Sequence, residues 1–240
     1  MFLFFIMNIW KSPDGIGSIE VLECFGNDLT VVNAARVSFQ KETKELTGKD
    51  EKLITYLAKH NHVSPFFHPQ IRLRVKMPIF LAREWFRHTI GFARNEVSRR
   101  YVDSSVELWY PLVDSLRERD PKLKQGSKEE PIQNADVVLQ EIKKHGEQTL
   151  ALYDSLLSSG VAPEIARSVL PQSMYTEFIE TGSLAAYARL WSLRTDPGAQ
   201  REIQAYARGI EQLLLPHFPI SWKALTYVPA DTDSYGIKVD

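Results

Sequence analysis

The chain is poor in several things, and each shortage removes a class of function. It has one cysteine, Cys24, in 240 residues. That excludes an intramolecular disulfide and a cysteine zinc cluster, and it fits a reducing compartment. It has no apolar run approaching the roughly 20 residues a membrane helix needs. The apolar start, Met1 to Met7, carries no basic flank and no small-residue cleavage pattern, so Met7 serves equally well as initiator and residues 1–6 need not be translated. A soluble, cytoplasmic protein is expected. Neither sign of charge is in excess: 29 Lys and Arg face 30 Asp and Glu. A dedicated DNA or RNA binder usually carries a large basic surplus, so that class loses ground. There is no repeat and no low-complexity tract. His60, His62 and His68 have loose metal-like spacing, but no carboxylate or cysteine pattern accompanies them and Pro65 and Pro69 break any shared helix face, so no metal site is read there.

What the chain does have is one dense stretch, Arg87 to Tyr101, with four arginines and a histidine against a single glutamate. Ile90, Phe92, Val97 and Tyr101 alternate with the cations, as expected of charges presented on a packed framework rather than on a solvated tail. Guanidinium forks suit phosphate oxygens and the carbonyl edge of a planar ring, at roughly 1.5–3 kcal/mol per charge-assisted hydrogen bond. The bland alternative is a surface helix end with ordinary ion pairs. The Asn, Glu and Ser set among the arginines favour an anionic planar ligand, most simply a nucleotide.

Periodicity outlines the rest. Ser18–Phe25 reads as a strand, Asp28–Phe39 as a helix entered through Gly26-Asn27, and Lys49–Asn61 as an amphipathic helix. In Gln70–Met77 the apolar Ile71, Leu73, Val75 and Met77 alternate with Arg72, Arg74 and Lys76, which predicts a strand with one buried and one basic face. That basic face is either solvated or a wall near phosphates. Pro78 suits a first helical position, so Ile79–His88 reads as a helix with Glu84, Arg87 and His88 on one face. A turn at Gly91 leads to an extended Asn95–Val102. The stretch from 117 to 134 is dense in charge, Pro and Gly and reads as an exposed loop. Helices are expected over about 135–159, 163–170, 183–193 and 199–215. Arg167, bracketed by Pro163 and Pro171, is expected to be partly buried. Helices following an antiparallel strand core predict an α+β fold: one domain over 18–225 with a sheet core flanked by helical bundles, an N-terminal extension 1–17 and a tail 226–240.

At the level of blocks, Arg87-His88 followed by Asn95-Glu96-Val97-Ser98-Arg99-Arg100-Tyr101 resembles the signature of the flavin-dependent thymidylate synthases. Further blocks resemble that family in order. They are Gly26–Leu29 with Ala34–Phe39, His62–Phe66, Pro78–Phe86, Ala166–Pro171 and Leu193–Asp196. The resemblance implies conversion of dUMP to dTMP, with methylenetetrahydrofolate as one-carbon donor and NADPH-reduced FAD as hydride source. It also implies a homotetramer with active sites assembled from more than one subunit, and no nucleic acid or membrane partner. By position it assigns dUMP to Glu84, Arg87, Glu96, Val97, Ser98, Arg99, Arg100, Arg167 and Arg194. Arg194 and Ser98 stand nearest the reacting atoms, with Ser98 a hydrogen-bonding hydroxyl. It assigns FAD to Ser38, His62, Ser64, Arg87, His88, Thr89, Ile90, Asn95, Glu96, Ser183 and Arg189. Two departures stand out. Thr89 occupies the place of a third basic residue, whose charge Arg94 is read as restoring, and the spacing to Asn95 is one residue longer. They motivate a second reading, a flavin enzyme acting on another pyrimidine nucleotide. A non-catalytic nucleotide- or RNA-binding protein is a third. Cys24, in an apolar strand with no nearby base, is read as a packed thiol and not as a nucleophile.

Overall fold

The computed structural model describes residues 8–101, 105–122 and 126–227. Its centre is a five-stranded antiparallel sheet in the order β1-β2-β3-β7-β4. The strands are β1 (Ile9–Lys11), β2 (Ser18–Phe25), β3 (Gln70–Pro78), β4 (Phe92–Glu96) and β7 (Tyr175–Ser183). A separate hairpin pairs β5 (Arg117–Arg119) with β6 (Ser127–Pro131). Eight α-helices surround these strands among the described residues: α1 (Asp28–Arg36), α2 (Gly48–Lys59), α3 (Ile79–Trp85), α4 (Ala135–Ser158), α5 (Pro163–Ala166), α6 (Leu184–Arg194), α7 (Arg201–Leu214) and α8 (Ser221–Thr226).

The alternation in β3 does what period-2 patterning requires. Ile71, Leu73, Val75 and Met77 are fully buried, while Arg72, Arg74 and Lys76 point outward. Those cations are met across the strands by Glu23, Glu20, Glu177 and Glu107, so the basic face is a solvated ladder of cross-strand ion pairs. The buried face is covered by α3, α6 and α7, and Trp85, Tyr187, Phe178 and Trp222 form its largest side chains. Asp28 ties the two ends of the domain together: buried at the start of α1, it accepts from the backbone N–H groups of Ile220 (3.0 Å) and Ser221 (2.8 Å), capping α8.

Several sequence expectations change. The largest is β7, which lies between the helices expected over about 163–170 and 183–193, in a stretch given no element, yet is a central strand, pairing with β3 on one side and β4 on the other. Residues 9–17, read as part of an extension, supply edge strand β1 and pack Trp10 edge-on to Tyr206 at 5.0 Å. The expected loop 117–134 contains the hairpin, which is held to α7 by the Arg117–Glu202 ion pair at 3.0 Å. The helix expected over Ile79–His88 ends at Trp85, and Pro78 closes β3 as the residue before the helix. Extension beyond Asn95 stops at Glu96, and Val102 lies outside the described residues, as do residues 1–7 and 228–240. Cys24 is half-buried, and burial pushes its thiol up to about 11, consistent with a packed thiol.

Candidate active site

The signature stretch begins where α3 runs out. The last turn of a helix leaves carbonyls without intrahelical partners, and a cation is favoured there. The carbonyl of Glu84 receives the Arg194 Nη2 at 2.8 Å, and the Glu84 carboxylate receives Nη1 at 3.2 Å. Arg194 Nε donates to His88 Nε2 at 2.9 Å. A residue at the end of α6 is thereby locked to Glu84 in the last turn of α3, 110 positions away in sequence, and to His88 just beyond it. His88 is 7% exposed. Burial, together with the guanidinium groups of Arg194, Arg189 and Arg94, lowers its pKa to about 4. At neutral pH it is an uncharged acceptor for Arg194.

The chain then turns at Gly91, whose φ of +82° lies in the left-handed region and which carries the reversal into β4. Gly182 opposite β4 has no room for a side chain, because a Cβ there would sit 2.5 Å from the Phe92 ring. The register of β4 against β7 places Arg94 directly across from Glu180 on the buried face. Arg94 Nε donates to Glu180, whose carboxylate also accepts from Trp85 Nε1 at 3.2 Å and is 0% exposed. The Arg94 guanidinium lies over the Phe92 ring at 4.6 Å and the Phe86 ring at 5.4 Å. Burial pushes the Glu180 carboxyl up while Arg94 opposes it. Arg94 is therefore committed to the core, and it does not supply the basic surface charge expected of it. Glu180 shares a period-2 face with Thr176 and Phe178, and with two of those three residues polar the pattern alone does not mark that face as buried.

The remaining nucleotide candidates fall into two clefts that share no lining residue. The first, of about 600 Å³, is lined by Glu96, Val97, Ser98, Arg99 and Arg167, with Glu164, Tyr175 and Thr176. Thr176 Oγ1 donates to Glu96 Oε1 at 2.6 Å, and Val97 N–H bonds the Glu177 carbonyl at 2.9 Å, so the signature is anchored on β7. Ser98 Oγ accepts from the Arg100 N–H at 3.3 Å, as a turn former does. Arg99 donates to the Ser105 carbonyl at 3.3 Å. Arg100 is exposed at the cleft's rim, its Nε 3.9 Å from Glu164 and its guanidinium 5.2 Å from the Tyr101 ring centre. Arg167 is exposed, not partly buried. The turn that carries it buries only Ala166, and its Nε makes a long 3.4 Å bond to the Glu164 carbonyl. Glu164, Tyr175 and Thr176 were missed because they lie on elements whose placement sequence alone did not give.

The second cleft, of about 1350 Å³, is lined by Glu84, Arg87 and Arg194, with Trp109, Arg117 and Arg201. Within one chain, then, Arg167 and Arg194 line different clefts, whose walls adjoin at Ile79–Phe80 and Ser173–Met174, and Arg100 lines neither.

The candidate cofactor residues gather mainly at one end of the sheet. Gln70 of β3 and Ser183 of β7 are register partners, and Phe92 of β4 opposes Gly182. Leu184 N–H bonds Pro69 O (3.1 Å) and Ser183 N–H bonds Gly91 O (3.2 Å), bringing the 62–69 segment and the 89–91 turn to the same junction. His62, Ser64, Arg87, Thr89, Ile90, Asn95 and Arg189 are exposed, and Ser38 is exposed in the turn after α1. Arg189 reaches the Ile90 carbonyl at 3.3 Å. Ser183 is different: it is 2% exposed and its Oγ caps α6 by accepting from Ala186 N–H at 3.2 Å, so that hydroxyl serves the helix. From Gly182 to Thr176, where the first cleft opens, β7 runs six residues, roughly 20 Å at about 3.3 Å each.

This geometry has relatives. The family model described as thymidylate synthase complementing protein matches residues 20–220. A flavin-dependent thymidylate synthase of Thermus thermophilus is 36% identical over 208 residues, 87% of this chain and 75% of that one. One from Thermosipho africanus is 39% identical over 209 residues, 87% of this chain and 90% of that one. The crystal structure of a UMP/dUMP methylase from Streptomyces cacaoi bound with 5-Br dUMP superposes with a TM-score of 0.78 at 32% identity, covering 89% of this chain and 95% of that chain. With a family model spanning most of its length and relatives of this similarity, the chain belongs to the flavin-dependent thymidylate synthase family.

Proposed function

We infer that this protein methylates dUMP to dTMP, with methylenetetrahydrofolate giving the one-carbon unit and NADPH the reducing equivalents through FAD. FAD, when bound, supplies the hydride. The residues fit such a group. Arg87 and Arg189 are exposed cations suited to its pyrophosphate, and Ile90, 64% exposed between them, offers an apolar surface for a flat ring. A phosphate dianion suits the first cleft, where Arg99 and Arg167 converge with the Ser98 hydroxyl. A uracil gaining negative charge suits Arg194, because a fixed cation in a shielded site stabilises charge that develops during reaction.

The observation that carries the reading is the division of these residues between two clefts and a sheet end roughly 20 Å from the first of them. A hydride passes only between groups in contact, so one chain alone does not complete the site. We propose that the first cleft of one subunit faces Arg87 and Arg194 of another, in a symmetric homo-oligomer, a homotetramer by the family resemblance. A cytoplasmic location accompanies this reading. No helix among the described residues is long and apolar enough to cross a membrane.

The experiment is an assay of the purified protein with FAD, NADPH, methylenetetrahydrofolate and each of dUMP, UMP and dCMP. The expected result is a yellow protein that forms dTMP from dUMP. A colourless protein that forms no methylated nucleotide overturns the reading. One observation favours a second substrate: the same Streptomyces enzyme, in its complex with 5-Br UMP, superposes with a TM-score of 0.74. Methylation of UMP at a rate comparable to dUMP would adopt that reading.

A further inference from the structure

His88 and Glu84 form a clamp around Arg194. Three of the five N–H donors of that guanidinium are spent inside the protein: Nε on His88 Nε2, Nη1 on the Glu84 carboxylate, Nη2 on the Glu84 carbonyl. The two that remain belong to the two terminal nitrogens. The Arg194 side chain is 18% exposed and lines the second cleft, so those two donors are the ones a ligand in the cleft can meet.

We propose that His88 is a positioning residue for Arg194: a neutral imidazole, held as the Nδ1–H tautomer, whose bare Nε2 fixes the rotation of the guanidinium. This rests on the reading that Arg194 faces the pyrimidine. The tautomer follows from the bond itself, because an arginine cannot accept a hydrogen bond and the ring nitrogen it donates to carries no proton. The surroundings keep it neutral. Arg194 and Arg189 from α6 and Arg94 from β4 all face the ring with positive charge; Glu84 from α3 is engaged with Arg194, and Glu180 from β7 with Arg94. A protonated His88 would offer Arg194 a donor against a donor, and the clamp would open. A flexible arginine loses rotational freedom when it binds, and a pre-set one does not, so the clamp lowers the cost of each productive encounter. His88 thereby acts on the reaction through Arg194, from beneath the surface.

The test uses the full-length holoenzyme and two substitutions. His88→Gln places an acceptor oxygen near the position of Nε2, whereas His88→Phe keeps the ring's bulk and removes the acceptor. The expected result is a kcat lowered about tenfold or more in His88→Phe and restored to within about threefold of wild type in His88→Gln. Equal losses in the two variants, or none in either, overturn the proposal. A second measurement does not depend on turnover or on the folding of a variant: 15N resonances of the His88 ring in labelled wild-type protein. A bare Nε2 and a protonated Nδ1 at pH 7, with no titration until the pH nears 4, support the clamp. A protonated Nε2, or titration near the ordinary 6.5, overturns it. If the wild-type enzyme makes no methylated nucleotide, the functional reading fails while the resonances still decide the clamp.

Discussion

Two arginines near the signature stretch, Arg94 and Arg194, each pair with a glutamate and are similarly shielded, with side chains 13% and 18% exposed. They do opposite things. Arg94 meets Glu180, which is 0% exposed and also accepts from the Trp85 indole N–H, lies over the Phe86 and Phe92 rings, and lines neither cleft. Arg194 meets Glu84, whose side chain is 29% exposed, and keeps two donors toward a large cleft. Shielding and charge alone do not mark a functional arginine. What separates the two is where the uncommitted donors lie: Arg94 Nη2 is buried with no hydrogen-bond partner among the described residues, whereas those of Arg194 face a cleft.

Glu180→Gln should have the largest effect. It leaves the Arg94 guanidinium buried without an anion, and loss of one partner of a buried pair costs about 3–5 kcal/mol. Urea unfolding would register this as a lower midpoint. Replacing both partners with apolar residues, as in Arg94→Met with Glu180→Leu, should recover much of it. An unchanged midpoint in Glu180→Gln would mean the pair does not hold β4 to β7.

Arg194→Ala should leave the unfolding midpoint near wild type and reduce turnover on the order of a hundredfold or more, the scale for removing a charge-stabilising donor. If its stability collapsed and its per-molecule turnover survived, Arg194 would belong with Arg94. Arg167→Ala should have the smallest effect. Arg167 is exposed, and its loss should weaken dUMP binding by about 1.5–3 kcal/mol with little change in stability or in kcat at saturation. Calorimetric titration with dUMP measures it, and unaltered affinity would remove Arg167 from the site.

Much of the fold was legible where local pattern decides it. The reading of β2 matches its span, and that of β3 stops one residue short, because alternation over eight or nine residues leaves one register that buries the apolar face. Strand β7 was not legible as such: its buried face includes Thr176 and Glu180, whose burial follows from partners on β4 and α3 that local sequence does not reveal. The 117–131 hairpin was hidden for a related reason, since Arg117 pairs with Glu202, 85 positions away. At the site, residue type and resemblance singled out Glu96, Ser98, Arg99 and Arg194, and each of them lines a cleft. Their division between two clefts was not, because it depends on where β7 runs. The same cause misassigned Arg94: only its register opposite Glu180 shows that it faces inward.

The central claim is that the site is completed between subunits, and trans-complementation tests it most directly. Arg194→Ala and Arg167→Ala chains, each nearly inactive at dUMP well below saturation, are coexpressed so that mixed oligomers form. If each site draws Arg194 from one subunit and Arg167 from another, random mixing gives about a quarter of sites with both arginines intact, and activity rises accordingly. Activity no higher than the average of the two separate variants would contradict the account.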